Sequence, residues 1–307
     1  MEISIIIPTY NRNTIFLETF QSALNAIRNI NAEIIVVNDR KTQEIILPIT
    51  SGKVTVFNNP SSGAASARNL GAKNAKSNLL LFLDDDILIS EKNINDVLLF
   101  HKQKPESCLN FNWKFPDSIQ KYLPKYQFGR FLIATNLINY KGWVHHPNWN
   151  DNVIFEVNKL AAFFFVIPKS IFVKAEGFNE SFKNQSVEDD EFSVRLLAMG
   201  IKQFIDPTKH VLHNESDKLF LEARLKRLQI GGFNKRLAYD LGMKEYFIPY
   251  SSFKISFYYF ISKFKKTLLL FCNLIPNLTA FDFFYGRLVH LLIGVAIFEG
   301  YYFKKNA

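Results

Sequence analysis

Residues 79–86 read LLLFLDDD, five apolar side chains running directly into three carboxylates. A continuous apolar run, rather than an alternating one, predicts a strand covered on both faces, and the acids mark where it leaves the core. The same signature recurs on either side. Ile3–Pro8 and Glu33–Asn38 (EIIVVN) predict two further buried strands, Val54–Phe57 a third strand before Leu79–Asp84, and Ala161–Pro168 (AAFFFVIP) a later buried one. Between them, Leu17, Phe20, Leu24 and Ile27 recur at helical spacing behind Asn11, a capping residue type, and Ala64–Ala75 is an alanine-rich helix. Strands alternating with helices predict an α/β protein with a mostly parallel, Rossmann-like sheet flanked by helices. Ligands of such sheets bind beyond the carboxyl ends of the strands, where Thr9, Asp39 and Asp84–Asp86 fall.

Further along, Glu188–Met199 reads as a helix opened by carboxylates, with Phe192, Leu196 and Met199 on one face. Ile201–Asp206 and His210–His213 read as short closing strands. Residues 101–158 are less regular and hold Trp113, Trp143, Trp149, His145 and His146. The 307 residues are 48% hydrophobic and 21% charged, which excludes wholesale disorder. Cys108 and Cys272 are too few for a disulfide scaffold and suit a reducing, cytoplasmic setting. The apolar run Ile3–Ile7 is too short for a signal-peptide core.

The net charge of +9 is unevenly placed. Residues 1–217 hold 23 basic and 23 acidic side chains, whereas 218–307 hold 14 and 5. This predicts a neutral body over 1–217 and a basic, helical, aromatic-rich extension over 218–307. Residues 246–307 contain 18 aromatics, and Phe253, Phe257, Phe260, Ile261, Phe264, Leu268 and Phe271 form a helical stripe with lysines mostly off it. Phe281–Phe303 is apolar but interrupted by Asp282, Arg287, His290 and Glu299, a poor candidate for a spanning helix. The pattern suits an anionic membrane surface; burial against the body or another subunit is the competing reading. No nucleic-acid-binding motif accompanies the basic residues.

Three clusters carry chemistry. Asp84, Asp85 and Asp86 offer the oxygens that hard cations such as Mg²⁺ and Mn²⁺ prefer, and without a cation they would raise one another's pKa. A solvated turn or helix cap is the plainer alternative. Gly63–Gly71 (GAASARNLG) joins close-packing residues to Arg68, whose fork suits phosphate, although a surface arginine on a packing helix fits equally. Glu188–Glu191 either stabilises a helix start through the dipole or supplies a general base.

Taken in order, Ile5–Arg12 (IIIPTYNR), Glu33–Asp39, Ala67–Asn69, Leu83–Asp86, Gly177–Glu180 (GFNE) and Glu188–Leu196 resemble the family 2 glycosyltransferases over roughly residues 1–215. The resemblance implies the glycosyltransferase A fold and an inverting, metal-dependent hexosyltransferase using a UDP-sugar and Mn²⁺ or Mg²⁺. Carried over by position, Pro8, Thr9, Tyr10, Asp39, Arg68, Asp84 and Asp85 would line the nucleotide-sugar site, with Thr9 and Asp39 at the uracil. Asp86 and His213 would hold the metal, and Asp189 would be the catalytic base. The acceptor would be a glycan or lipid-linked glycan of bacterial surface polymers, with the enzyme in the cytoplasm or on the inner face of the membrane, and an oligomer is compatible. One departure is Asn38–Lys41 (NDRK), where the family often has Asp-Asp-Gly-Ser. The alternatives are a non-catalytic binding protein of the same fold, a sugar nucleotidyltransferase, which would need a basic glycine-rich loop, and a dinucleotide oxidoreductase, which would need a Gly-x-Gly-x-x-Gly turn.

Overall fold

The computed structural model describes residues 1–10, 12–40, 45–48, 52–144, 146–147, 149–183, 187–216 and 219–303. The chain opens with β1 (Ile3–Thr9), α1 (Asn13–Ala26), β2 (Ala32–Asn38), β3 (Val54–Asn58), α2 (Ala64–Asn74), β4 (Leu79–Leu83), β5 (Ile87–Leu88) and α3 (Glu91–Gln103). It continues through β6 (Ser107–Lys114), α4 (Asp117–Tyr122), α5 (Gln127–Ala134), α6 (Tyr140–Val144), β7 (Phe155–Glu156), β8 (Phe164–Pro168), α7 (Lys169–Lys174) and α8 (Glu188–Ala198). It closes with β9 (Lys202–His213), α9 (Leu221–Asp240), α10 (Ser252–Ser262), α11 (Lys265–Leu274) and α12 (Asp282–Phe303).

Two compact units result. The first, Met1–Pro116 with Ile138–Asn214, is a mixed sheet in the order β3-β2-β1-β4-β8-β6-β9-β5, with β7 also on β9. The strands β3, β2, β1 and β4 are mutually parallel, which is the half that the apolar runs predict. Every residue of β1 and β2 is buried, because a parallel sheet with helices on both faces leaves neither side of a central strand to solvent. β8 runs antiparallel to β4 and β6, and β9 runs parallel to β6.

Four features depart from the expectation. β6 lies inside the stretch that reads as irregular. The two closing strands are one, β9, with a register shift opposite Phe111 and Asn112. The shift coincides with Pro207, which has no N–H to give the ladder, and Thr208 turns back to donate from its N–H and hydroxyl to Asp206. The cap of α1 is Arg12, with no side-chain capping bond, and Asn11 lies outside the described residues. Residues 117–137, which composition places in the body, group with the C-terminal chain.

That second unit, Asp117–Leu137 with Glu215–Ala307, is built around the pairing of α9 with α12. The two helices touch backbone to backbone: a Cβ on Gly300 would collide with the Gln229 carbonyl, and one on Gly232 with the Ile297 carbonyl. Val289, Leu292, Val295, Ala296 and Phe298 of α12 are buried. Arg130 of α5 forks onto Asp282 at 2.7 Å through both Nε and Nη2, fixing the start of α12. Gly300→Val is expected to destabilise the protein by about 2–3 kcal/mol in a urea or thermal melt, since neither backbone can yield without separating the pair.

Candidate functional site

The site lies in the first unit, at the carboxyl ends of β1, β2 and β4. The three acids after β4 differ in setting although they are consecutive. Asp84 keeps its N–H on the Phe163 carbonyl, 2.9 Å, and accepts from Arg68 Nη2 at 2.7 Å. Asp85 and Asp86 are buried and share one cation: Arg12 Nη1 donates to Asp85 Oδ1 at 2.8 Å and to Asp86 Oδ2 at 2.7 Å. The Thr9 hydroxyl donates to Asp85 Oδ2 at 2.8 Å. Burial and the neighbouring Asp86 push Asp85 up to about 6, against the pull of Arg12 and Thr9.

Arg68 belongs to α2 and is fully buried, 1% exposed. Its other arm, Nη1, donates to Glu188 Oε1 at 3.0 Å. Burial alone would lower its pKa, but Asp84 and Glu188 hold it above the ordinary arginine value. The next residue, Asn69, exchanges hydrogen bonds with the backbone of Phe178, its amide donating to the carbonyl and its oxygen accepting the N–H, both at 2.9 Å. Gly177 sits at φ +67°, the left-handed region where a side chain is strained, and a Cβ there would press on Asn69. Arg195 braces the same turn by donating to the Gly177 carbonyl at 2.7 Å while it is held by Glu191. The Arg68-Asn69 and Gly177–Glu180 motifs are therefore two halves of one joint, with the Phe178 ring 5.4 Å from the guanidinium.

This joint places α8. Glu188 faces Arg68, and Asp189, half-buried beside it, accepts from the Ala162 N–H at 3.3 Å, just ahead of β8. Desolvation first, then the charges of Glu188 and Asp190, push Asp189 up to about 7, with Arg68 and the Ala162 N–H opposing. A carboxylate poised near neutrality, one residue from the Glu188–Arg68–Asp84 chain of ion pairs, is the arrangement expected of a proton acceptor.

The other predicted residues divide. Asp39 accepts from Asn59 at 2.6 Å and from the Gly63 N–H at 2.9 Å, so it ties β2 to the start of α2. Pro8 and Thr9 are buried in β1, whereas Tyr10 is 60% exposed. His213 is buried at the end of β9, its Nε2 3.4 Å from Asp86 Oδ1, among the rings of Trp113, Trp143 and Phe163. Two donor atoms on one divalent ion with bonds of about 2.1 Å at right angles stand about 3 Å apart, so the Asp86 oxygen and His213 nitrogen fit a shared cation. Trp113 is core in β6, and the Trp149 indole donates to Asp151 at 2.6 Å. His145 and Lys41 lie outside the described residues.

Two participants carry no role in the sequence reading: Arg12, visible only as the end of its motif, and Glu188, masked by three adjacent acids. Their signal is a cation–carboxylate match across 73 and 120 positions, which no local pattern reveals. Arg68→Met would strand Glu188 and Asp84 without their shared cation. It is expected to cost about 3–5 kcal/mol in a urea melt. Restoration by Arg68→Lys should be incomplete, because an ammonium has no planar fork.

Residues 4–164 match the family model Glycosyl transferase family 2. An uncharacterized glycosyltransferase of Rickettsia bellii is 32% identical over 134 residues, 42% of this chain and 19% of that protein. The Escherichia coli UDP-Glc:alpha-D-GlcNAc-diphosphoundecaprenol beta-1,3-glucosyltransferase WfaP is 36% identical over 107 residues, 33% of this chain and 42% of WfaP. The chain thus spans less than half the length of either relative. Staphylococcus aureus TarS, solved with UDP-GlcNAc, superposes with a TM-score of 0.50 at 14% identity, over 98% of this chain and 91% of that one. With the family model covering half of the chain and TarS superposing over nearly all of it, the protein belongs to glycosyl transferase family 2 and carries the glycosyltransferase A fold.

Proposed function

We propose that the protein transfers a hexosyl group from a UDP-sugar to a hydroxyl of a glycan or lipid-linked glycan, with inversion at the anomeric carbon. The observation that carries the reading is Asp189: a half-buried carboxylate with its pKa pushed up to about 7, joined through Glu188 and Arg68 to the acids after β4. The lipid-linked acceptor class is supported by the E. coli relative, which is named for transfer of this kind.

An acceptor hydroxyl is a poor nucleophile until its proton is taken. Ionised Asp189 accepts that proton as the oxygen attacks the anomeric carbon, and the bond to the UDP oxygen breaks on the opposite face. A single displacement of this kind inverts configuration and needs no covalent enzyme intermediate. Asp84 and Asp85 bound the donor site, with Pro8, Thr9, Tyr10 and Asp39 at the nucleotide end. Arg68 acts there by holding Asp84 and the start of α8, because both arms of its fork are engaged. Asp86 and His213 would hold Mn²⁺ or Mg²⁺. Such a cation, when bound, supplies countercharge to the leaving diphosphate.

The base must be ionised, and its folded-state pKa lies above the ordinary carboxylate value, so its charged form is gained as pH rises. For the free enzyme, kcat/KM should climb about tenfold per unit below pH 7 and level above it. The same shift lowers fold stability as pH rises from about 4 to about 7, because the folded state then binds the extra proton. Asp189→Asn should abolish transfer, by about three orders of magnitude or more, leave UDP affinity within a few-fold, and remove that part of the stability slope. Transfer that persists in this variant, or an anomeric configuration retained in the product, would overturn the assignment.

A further inference from the structure

The helices of the second unit that pack beside α12 are oddly placed for their composition. α10 reads SFKISFYYFIS, yet none of its residues is buried. Phe253 is 79% exposed and Phe260 58%. On α11, Leu270, Phe271 and Leu274 are exposed in the same way. Apolar side chains in this number do not stand in water without a partner.

The charge on this surface has one sign. Residues 246–281 contain Lys254, Lys263, Lys265 and Lys266 and no Asp, Glu or Arg. Lys265 is engaged with Glu299 at 2.5 Å, and the other three are exposed. A second copy of the chain would meet this face lysine to lysine across a two-fold axis, which is repulsive. An anionic lipid surface supplies both what the phenylalanines and what the lysines lack.

Length decides the geometry. Helices of 11 and 10 residues are about 16 Å long, half of what a hydrocarbon core requires. α12 is long and apolar enough to cross a membrane, but its buried face is closed against α9 through Gly232 and Gly300. α9 carries Arg224, Lys226, Arg227, Lys235 and Arg236, which hydrocarbon would not admit with it. We infer that the α10–α11 face is a docking surface for an anionic lipid bilayer, lying in the headgroup boundary rather than crossing it. The inference stands on this surface alone and is independent of the transfer chemistry.

Flotation of the full-length protein with phosphatidylglycerol-containing vesicles, against pure phosphatidylcholine vesicles, tests it. Binding should be strong to the first, weak to the second, and reduced by high salt. Lys254→Gln/Lys263→Gln/Lys266→Gln should lower the partition coefficient about a hundredfold. Phe253→Ser/Phe257→Ser/Phe260→Ser should reduce binding to background. All six side chains are exposed, so both variants should keep the wild-type melting curve, and this is measured alongside. Equal binding by wild type and both variants overturns the inference, as does indifference to lipid charge. So does a wild-type protein that ignores vesicles and elutes as a dimer that the phenylalanine variant dissociates.

Discussion

The strand-end site depends on one buried guanidinium. Arg68 joins residues 16 and 120 positions away from it, and in doing so decides where Asp84 and the start of α8 stand relative to each other. Burying an arginine is costly unless its donors are matched by acceptors of opposite charge, and here two carboxylates meet the two ends of the fork. Successive residues on a helix project about 100° apart, so Arg68 can hold the acids while Asn69 grips the Gly177 turn. One turn of α2 thereby fixes two separate segments of chain, and Asp189 inherits its position from that joint.

Charge at the site is shared rather than simply accumulated. Three consecutive aspartates would repel strongly if left alone, and the fold divides them: Asp84 to Arg68, Asp85 and Asp86 to Arg12. Asp86 also stands against His213, and with Glu215 these form a group of donors spaced closely enough for one metal ion. Asp85 is buried between two acids, and burial first, then the charge of Asp86, raises its pKa against the pull of Arg12.

What was legible in the sequence follows from burial geometry. β1, β2, β4 and β8 are covered on both faces, so each is a continuous apolar run that periodicity detects. β6 reads SCLNFNWK, and its buried Asn110 and Asn112 break the run. They are satisfied by partners no local pattern shows: the Tyr140 hydroxyl donates to Asn110 at 2.8 Å, and the Tyr140 N–H to Asn112 at 3.1 Å. The acids of the site were legible because a carboxylate at a strand end is anomalous, whereas Arg68 read as a phosphate ligand because its own acids lie far off in the chain. In the C-terminal region, periodicity read Phe253 to Phe271 as one helical stripe, whereas the chain breaks between α10 and α11 at Lys263 and Phe264. Periodicity carries no information on whether that face is covered, and α10 leaves it open.

The abundance of phenylalanine therefore has two separate physical meanings. On α10 and α11 it marks surface. In the first unit it builds core: Phe82, Phe172, Phe178 and Phe192, the last from α8 itself, pack ring to ring, with Phe178 and Phe192 only 4.6 Å apart. Phe178 also lies against the Arg68 guanidinium, and Phe192 stands about one helical turn beyond Asp189 on α8. Desolvation is the leading cause of the raised Asp189 pKa, ahead of its acidic neighbours. Packing of that kind can be thinned without touching a charge: a smaller residue at Phe192, one turn beyond Asp189, should admit water and let Asp189 fall back toward an ordinary carboxylate. The acidity of the proposed base is thus set by hydrocarbon packing as much as by the ion pairs above it.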